Sequence, residues 1–407
     1  MMKRPLKIIF LTSTNLASNP RCRKEVELAL AAGHKVTVVA FEMDNWTREK
    51  EKQIREQLKE VSFHYLSATR SNLWLWFKST IIEKISAKLY KLGIRTTGII
   101  AAAVNRRTVL IQALLCSKKL SADLIIAHNP GAFYPAVSFA SRNKAHYAID
   151  IEDYHPGEGT DLFLKTLNEH LLQKVLPAAR YISYASEPIM HKVLSLVPQI
   201  NGDRGLVVNN AFPAKDFPKP AEAKDDEILN FVWFSQNIDA SRGLEQVLPV
   251  LDKFKDHIRL TLVGSLNNAF FDKYLSGRPY ISIVAPLLQE ELHALIGQYD
   301  IGLAIEPGKD VNNNLALSNK AWTYFQAGLY ILASGTEGQE SFIRNFPEHG
   351  IVTSLDEATL LKTLSSLIND RKRILESKIS RWQHAQNHSW TVESSKVLGI
   401  WGQIDTI

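Results

Sequence analysis

Three polar stretches of this chain carry residue types able to do chemistry. In HYAIDIEDYHPGEG (146–159) a short apolar run empties into Asp150, Glu152, Asp153, His155 and Glu158. Carboxylates and an imidazole crowded at a strand exit suit a loop that handles a polar ligand. The same carboxylates also offer oxygen ligands to a metal ion. DLIIAHNP (123–130) delivers His128 and Asn129 in the same manner, and TSTNLASNP (12–20) places Ser13, Thr14 and Asn15 after an earlier apolar run. In VNNNLALSNKAWTYFQAGLYILASGTEGQE (311–340) two polar loops flank a short helix that begins near Lys320. A helix N-terminus among polar loops is a place to hold an anion.

The elements that must position these residues are legible from apolar runs and their punctuation. KIIFL (7–11), the helix 21–32 ending at Gly33, and HKVTVVAF (34–41) make a βαβ unit whose first loop faces the ligand side. That loop has none of the spaced glycines of a dinucleotide fingerprint, which argues against a nicotinamide or flavin site there. Strands are expected within 123–130 and 146–159, each emptying into its polar loop, and at 180–188 and 206–212, and a charged helix at 44–60. PAKDFPKPAEAKDD (213–226), proline-rich and charged, reads as a linker. A second alternation starts at NFVWFSQ (230–236) and continues through a helix at 243–254, RLTLVGS (259–265), YISIVAP (280–286) and DIGLAIEP (300–307). Within 311–340, residues 311–319 read as a polar loop and 320–327 as a helix with Gly328 as its C-cap. Residues 330–333 read as a buried strand and 334–338 as a loop. A long charged helix at 370–388 and a last one carrying Trp401 and Ile404 finish the chain. The pattern is α/β, with two doubly wound parallel sheets in succession.

Composition bounds the class. With 407 residues, 45% hydrophobic and 22% charged, the chain is long enough for two or three globular domains. Two cysteines, Cys22 and Cys116, exclude a disulfide framework and fit a reducing cytoplasm. The start MMKRPLKIIFLTST is basic and then apolar, but its core is too short for a secretory signal and reads as a first strand. No window of about 18 apolar residues predicts a membrane span. A net charge of +6 favours anionic partners. Between 71 and 115, Trp74, Trp76, Phe77 and Lys78 precede further lysines and arginines on a helical background. Such a surface fits an anionic membrane, or else helices with basic outer faces packed on the sheet. Basic residues do not otherwise cluster with aromatics, so nucleic acid is not expected as a partner.

Five landmarks in order resemble the GT-B glycosyltransferases, and within them the retaining, nucleotide-sugar-dependent group called family 4 or group 1. SNPRCRKEVELALAAGHKVTVVA (18–40) resembles the family's opening loop and helix, and YAIDIEDYHP (147–156) its Tyr-Asp-x-His-Glu stretch. VVNNAFP (207–213) resembles the loop closing the first half, and SQNIDASRGLE (235–245) the loop with a basic residue before Gly. SNKAWTYFQAGLYILAS (318–334) resembles Pro-Asn-Lys-x-x-Glu-Tyr-Met-Ala-x-Gly-x-Pro-Val-Ile.

The resemblance implies two Rossmann-like doubly wound domains facing a cleft. An acceptor-side domain would cover 1–212, a linker 213–227, a nucleotide-sugar-binding domain 228–385, and a terminal helix crossing back would cover 386–407. It implies that Arg242 and Lys320 hold the donor diphosphate, with Gln236, Gly243, Gly264, Asn319, Thr323, Tyr324 and Glu337 around the donor. It places Asp150, Glu152, Asp153 and His155 at the chemistry, and Ser13, Thr14, Asn15, Arg21, His128 and Asn129 on the acceptor side. No metal and no cofactor beyond the sugar nucleotide are implied, because two cations and a helix N-terminus can stabilise the leaving diphosphate. Two positions depart from the family. Its pair of glutamates eight residues apart falls on Leu315 and Thr323, and its histidine falls on Glu152. Ribose recognition is then expected from Thr323, Asn319 or Glu337, or else to be weakened.

The expected function is sugar transfer from a nucleotide-diphosphate donor to a glycan or lipid-linked acceptor in polysaccharide or lipopolysaccharide synthesis. The expected location is cytoplasmic and peripheral to an anionic membrane. A sugar-nucleotide epimerase of similar architecture and an inactive partner subunit are the alternatives, the second suggested by the missing glutamates.

Overall fold

A computed structural model describes residues 4–67, 69–70, 72–221 and 227–404. Ser71 and the acidic part of the expected linker (222–226) lie outside the described residues, as do the first three residues of the basic start. The chain divides into two units, one of Met1–Val208 with Ser394–Ile407 and one of Asn209–Glu393.

The first unit holds a seven-stranded parallel sheet of β1 (Lys7–Thr12), β2 (Lys35–Glu42), β3 (Ser62–Ser67), β4 (Leu124–His128), β5 (His146–Ile151), β6 (Tyr181–Tyr184) and β7 (Gly205–Val207). Their order is β3-β2-β1-β4-β5-β6-β7. β1, β4 and β5 are apolar and buried almost throughout, as strands covered by helices on both faces must be. The order reverses between β1 and β4, and at such a switch point the loops leaving the carboxyl ends part to form a crevice. Ser13 to Asn15 follow β1, and Asn129 follows β4. Residues 394–404 return to this unit: Trp401 is buried, donates from Nε1 to the Tyr181 hydroxyl at 3.0 Å and packs edge-on to Phe10.

The second unit repeats the plan with six parallel strands. These are β8 (Leu229–Ile238), β9 (Ile258–Leu266), β10 (Ile281–Val284), β11 (Ile301–Ala304), β12 (Tyr330–Ser334) and β13 (Gly350–Thr353), ordered β10-β9-β8-β11-β12-β13. The switch lies between β8 and β11, so the loops after these two strands flank the crevice.

The helical background expected within 71–115 is, over 72–115, three helices, Leu73–Lys91, Thr97–Val104 and Arg107–Ser117, because Gly93 turns left-handed at φ 91° and Asn105 is extended. Several other expected elements differ. The strand expected at 206–212 ends at Val207. The polar loop 311–319 contains a helical turn, Val311–Leu315, capped by Asp310, and the loop at 334–338 winds into a helix at Glu337. The helix expected at 370–388 breaks at Ser377, whose hydroxyl bonds back to the Arg373 carbonyl. Gly328 behaves as expected: at φ 76° it ends the helix Asn319–Gln326, and Leu329 N–H bonds back to the Tyr324 carbonyl at 3.0 Å.

Candidate functional site

In the first unit the polar residues gather at the carboxyl ends of β1, β4 and β5, in a buried and a half-buried layer. The buried layer is ionic. Arg21, in the first turn of the helix Pro20–Ala31, sits with its Nε 2.9 Å from the Asp150 carboxylate and donates from Nη1 to the Val208 carbonyl at 2.6 Å. Asp150 also accepts from the Ser183 hydroxyl at 2.6 Å. The His128 ring lies between two carboxylates, with Nδ1 3.1 Å from Asp150 and Nε2 3.6 Å from Glu25.

Burial alone would raise the Asp150 carboxyl, but Arg21 and then His128 and Ser183 outweigh it and hold the group well below the usual carboxylate range. Burial alone would lower His128; Cys22, Asp150 and Glu25 outweigh it and hold the imidazole well above its ordinary value. Glu25, His128 and Asp150 are close enough together to suggest a metal site. Each ring nitrogen faces a different carboxylate, as the two N–H donors of an imidazolium would. An imidazolium beside Arg21 balances Asp150 and Glu25 without a further cation.

Three residues expected at the ligand lie deeper than that: Asp150, Arg21 and His128 are 2%, 0% and 1% exposed and face one another beneath the surface. Asn15 is likewise internal, donating to the Thr47 hydroxyl at 2.7 Å and accepting from Ser18. Ser13 is buried too: its carbonyl accepts from Arg107, and its side chain lies where a Cβ on residue 131 would stand, which explains Gly131.

The half-buried layer holds the polar groups that lie nearer solvent. Thr14 bonds to the Thr12 hydroxyl at 3.0 Å, and Asn129 accepts from Thr12 at 2.8 Å and from Asn19 at 3.3 Å. Glu152 is half-buried, and burial, then Asp153 and Asp150, push its carboxyl up to about 7. Asp153 turns the chain, its carbonyl accepting from His155 N–H at 3.0 Å. His155 pairs with Glu158 at 3.0 Å; burial lowers the imidazole, and Glu158 outweighs it and raises it. Lys24, on the same helix face as Arg21, was not anticipated. Burial and then Arg21 pull its ammonium down to about 7, while Glu152 pulls the other way.

In the second unit the polar residues meet at the carboxyl ends of β8, β11 and β12. Ser241 at φ 65° and Gly243 at φ 84° bend the loop after β8, and a Cβ at 243 would stand 2.5 Å from Ile305. The loop is thereby pressed onto the exit of β11 and presents Arg242 to solvent. Arg242 makes no hydrogen bond or ion pair with the described residues. Gln236 is exposed where β8 loses register between Phe234 and Asn237, and Gly264 lets β9 approach the Ser235 carbonyl.

Lys320 follows Asn319 at the start of the helix Asn319–Gln326, whose N-cap is Ser318. Its Nζ lies 2.7 Å from the Glu306 carboxylate. Glu306 was not anticipated; its only signal is a lone acid before Pro307 and Gly308 at a strand exit. Burial would raise its carboxyl, and Lys320, Ser318 and Asn313 outweigh that and lower it. Ser334 stitches β12 to this exit, donating to the Glu306 carbonyl and accepting from its N–H, both at 2.8 Å. Asn319 is exposed and accepts from Asn210 at 3.0 Å, and Glu337 is exposed and accepts from Asn314 at 2.8 Å.

Two expected donor contacts point the other way. Thr323 is 1% exposed and donates its hydroxyl to the Asn319 carbonyl at 3.0 Å. Tyr324 is fully buried, its ring lying where a Cβ on Gly302 would stand, with its hydroxyl on the Leu303 carbonyl. Both belong to the core beneath the site.

No protein-family model matches the sequence, and no curated protein is significantly similar to it. Solved structures are similar in fold. Anabaena HepE in complex with UDP superposes with a TM-score of 0.65 at 12% identity, covering 98% of this chain and 100% of that one. A sucrose-phosphate synthase from Thermosynechococcus elongatus does so at 0.66 and 12%, covering 98% of each chain. A UDP-N-acetylglucosamine 2-epimerase matches at 0.57 and 12%, covering 99% of each. At such identity the likeness shows the fold alone, two Rossmann-like halves, each a doubly wound parallel sheet.

Proposed function

We propose that this protein transfers a sugar from a nucleotide-diphosphate donor to a glycan or lipid-linked acceptor. The observation that carries the reading is the pair of cations at one switch point. Arg242 is solvent-facing and unpaired among the described residues, and Lys320 stands at a helix N-terminus beside the exit of β11. A leaving diphosphate needs positive charge and backbone N–H groups where its own charge develops. Solved neighbours of the same fold hold UDP and UDP-glucose, which supports a nucleotide sugar here.

In this reading Arg242 and Lys320 hold the diphosphate, and Gln236, Asn319 and Glu337 line the donor. Glu152, Asp153 and His155 supply the polar groups of the first unit for sugar and acceptor, with Thr14 and Asn129 beside them. The transfer is assigned retention, driven by leaving-group stabilisation and not by a protein nucleophile, with the acceptor oxygen bonding to the anomeric carbon on the face from which the diphosphate departs. No metal is required for it. The assigned setting is polysaccharide or lipopolysaccharide synthesis at the cytoplasmic face of a membrane.

A thermal-shift screen against uridine, guanosine and cytidine diphosphate sugars identifies the donor. Donor turnover by Arg242→Ala then tests the mechanism: a fall of about 10²–10³ in kcat is expected from losing a preorganised charge. Unchanged turnover sinks the assignment. An epimerase, favoured by the fold match to one, would convert the nucleotide sugar with no acceptor present. Binding to none of the three donors would favour an inactive partner subunit.

A further inference from the structure

The basic charge of this protein is not spread evenly. Residues 61–122 hold ten lysines and arginines against one carboxylate, Glu83, a surplus larger than the +6 of the whole chain. That carboxylate is turned inward, accepting from the Arg106 backbone N–H at 3.1 Å. The helix Leu73–Lys91 carries much of the charge and leaves an apolar stripe uncovered. Trp74 is 71% exposed, Phe77 54% and Ile85 50%, with Ile81 between them and Leu92 just beyond.

At 3.6 residues per turn, Trp74, Phe77, Ile81 and Ile85 fall within a band about 80° wide. Lys78 flanks that band on one side and Lys84 and Lys91 flank it on the other, while Lys88 lies within it; all four are exposed. The opposite face is held by the protein through buried Ser79, Ser86 and Tyr90. The start of the helix Leu162–Val175 extends the patch. Phe163 stacks edge-on to Tyr90 at 5.8 Å and lies under the Lys91 ammonium at 4.6 Å, which brings 76%-exposed Leu162 to the end of the stripe.

We propose that this face is a docking surface for an anionic phospholipid bilayer. Trp74, Phe77, Ile81, Ile85 and Leu162 enter the headgroup boundary, and the lysines beside them meet the lipid phosphates. Charge selects this occupant. A second copy of the chain would bring two strongly basic faces together, whereas an anionic leaflet complements all the cations at once. No described helix is long and apolar enough to cross a membrane, so the contact is in-plane. The inference is independent of sugar transfer, because vesicle binding is read without a donor.

The test is co-sedimentation of the full chain with vesicles of phosphatidylcholine alone and of phosphatidylcholine mixed with phosphatidylglycerol. Binding to the mixed vesicles is expected, at least about tenfold weaker to the neutral ones, and weakened by salt. Trp74→Ser with Phe77→Ser, and separately Lys84→Ser with Lys88→Ser, should each lower binding about tenfold or more at unchanged thermal melting. Absence of binding, equal binding to both vesicle types, or double variants that bind like the parent would overturn the proposal. So would a concentration-dependent dimer that the Trp74/Phe77 variant abolishes.

Discussion

Lys320 and Glu306 form an ion pair at 2.7 Å, with side chains 12% and 18% exposed, at the carboxyl end of β11. The lysine reaches Glu306 from the first turn of the helix Asn319–Gln326 and lies near the Trp233 ring, so it is fixed in place. Lys320→Ala should therefore act twice. Loss of a charge-assisted contact to the diphosphate should weaken nucleotide binding about tenfold or more. Leaving Glu306 unpaired should also cost about 1–3 kcal/mol of stability. The double variant Lys320→Met with Glu306→Gln should recover the stability and not the binding. Calorimetry with UDP and thermal melting on all three proteins separate the two effects; recovery of binding in the double variant would remove Lys320 from the donor site.

A second prediction concerns Glu152, whose carboxyl is pushed up to about 7 by burial, Asp153 and Asp150. A group titrating there changes charge across the working range of an enzyme. The kcat/KM profile should carry a limb near pH 7 that Glu152→Gln abolishes. Lys24, pulled down to about 7, is the competing source of the same limb. If Lys24→Met flattens the profile and Glu152→Gln does not, the assignment passes to the lysine.

Much of the fold was readable because doubly wound sheets write themselves as apolar runs with polar exits. KIIFL and DLIIAH read as strands covered on both faces, and YILA (330–333), by itself either a buried strand or part of a helix, reads as a strand from its flanks. The sites were readable only as regions. Arg21, His128 and Asp150 lie at the predicted loops, yet sequence spacing cannot distinguish a polar residue facing the crevice from one closing an ion network beneath it. Glu306 escaped because a single acid before Pro-Gly looks like a turn. Its partner, Lys320, lies fourteen positions on, in the first turn of the next long helix, and only the path of the intervening loop brings the two together.

The buried network of Arg21, Asp150, His128 and Glu25 should shape stability against pH from both sides. Asp150 is depressed in the folded state, so its contribution is present above its ordinary value near 4 and is lost as the pH falls below it. His128 is raised, so its contribution is present below about 6.5 and is lost as the pH climbs toward the folded value. Stability should peak between these limits. Chemical denaturation across pH should show an alkaline decline that His128→Gln flattens. Asp150→Asn, which strands the Arg21 guanidinium, should cost about 3–5 kcal/mol at neutral pH. An Asp150→Asn protein as stable as the parent would mean that Arg21 is satisfied some other way.

Thr323 stands where the resembled family keeps a carboxylate, and restoring that carboxylate tests what the substitution means. The helix Asn319–Gln326 buries six of its residues, Ala321 through Gln326. Trp322 and Phe325 pack on one side, Tyr324 beneath Gly302 on another. Thr323 is enclosed among them, with its hydroxyl already bonded to the Asn319 carbonyl. A glutamate there would be larger, would lose that bond and would carry a charge into a buried setting where the one cation of the helix, Lys320, is already paired with Glu306. Thr323→Glu should therefore destabilise the protein by about 3 kcal/mol or more without tightening nucleotide binding. If the variant is instead as stable as the parent and binds UDP more tightly, residue 323 faces the ligand, and the donor site retains the family's geometry with its carboxylate removed.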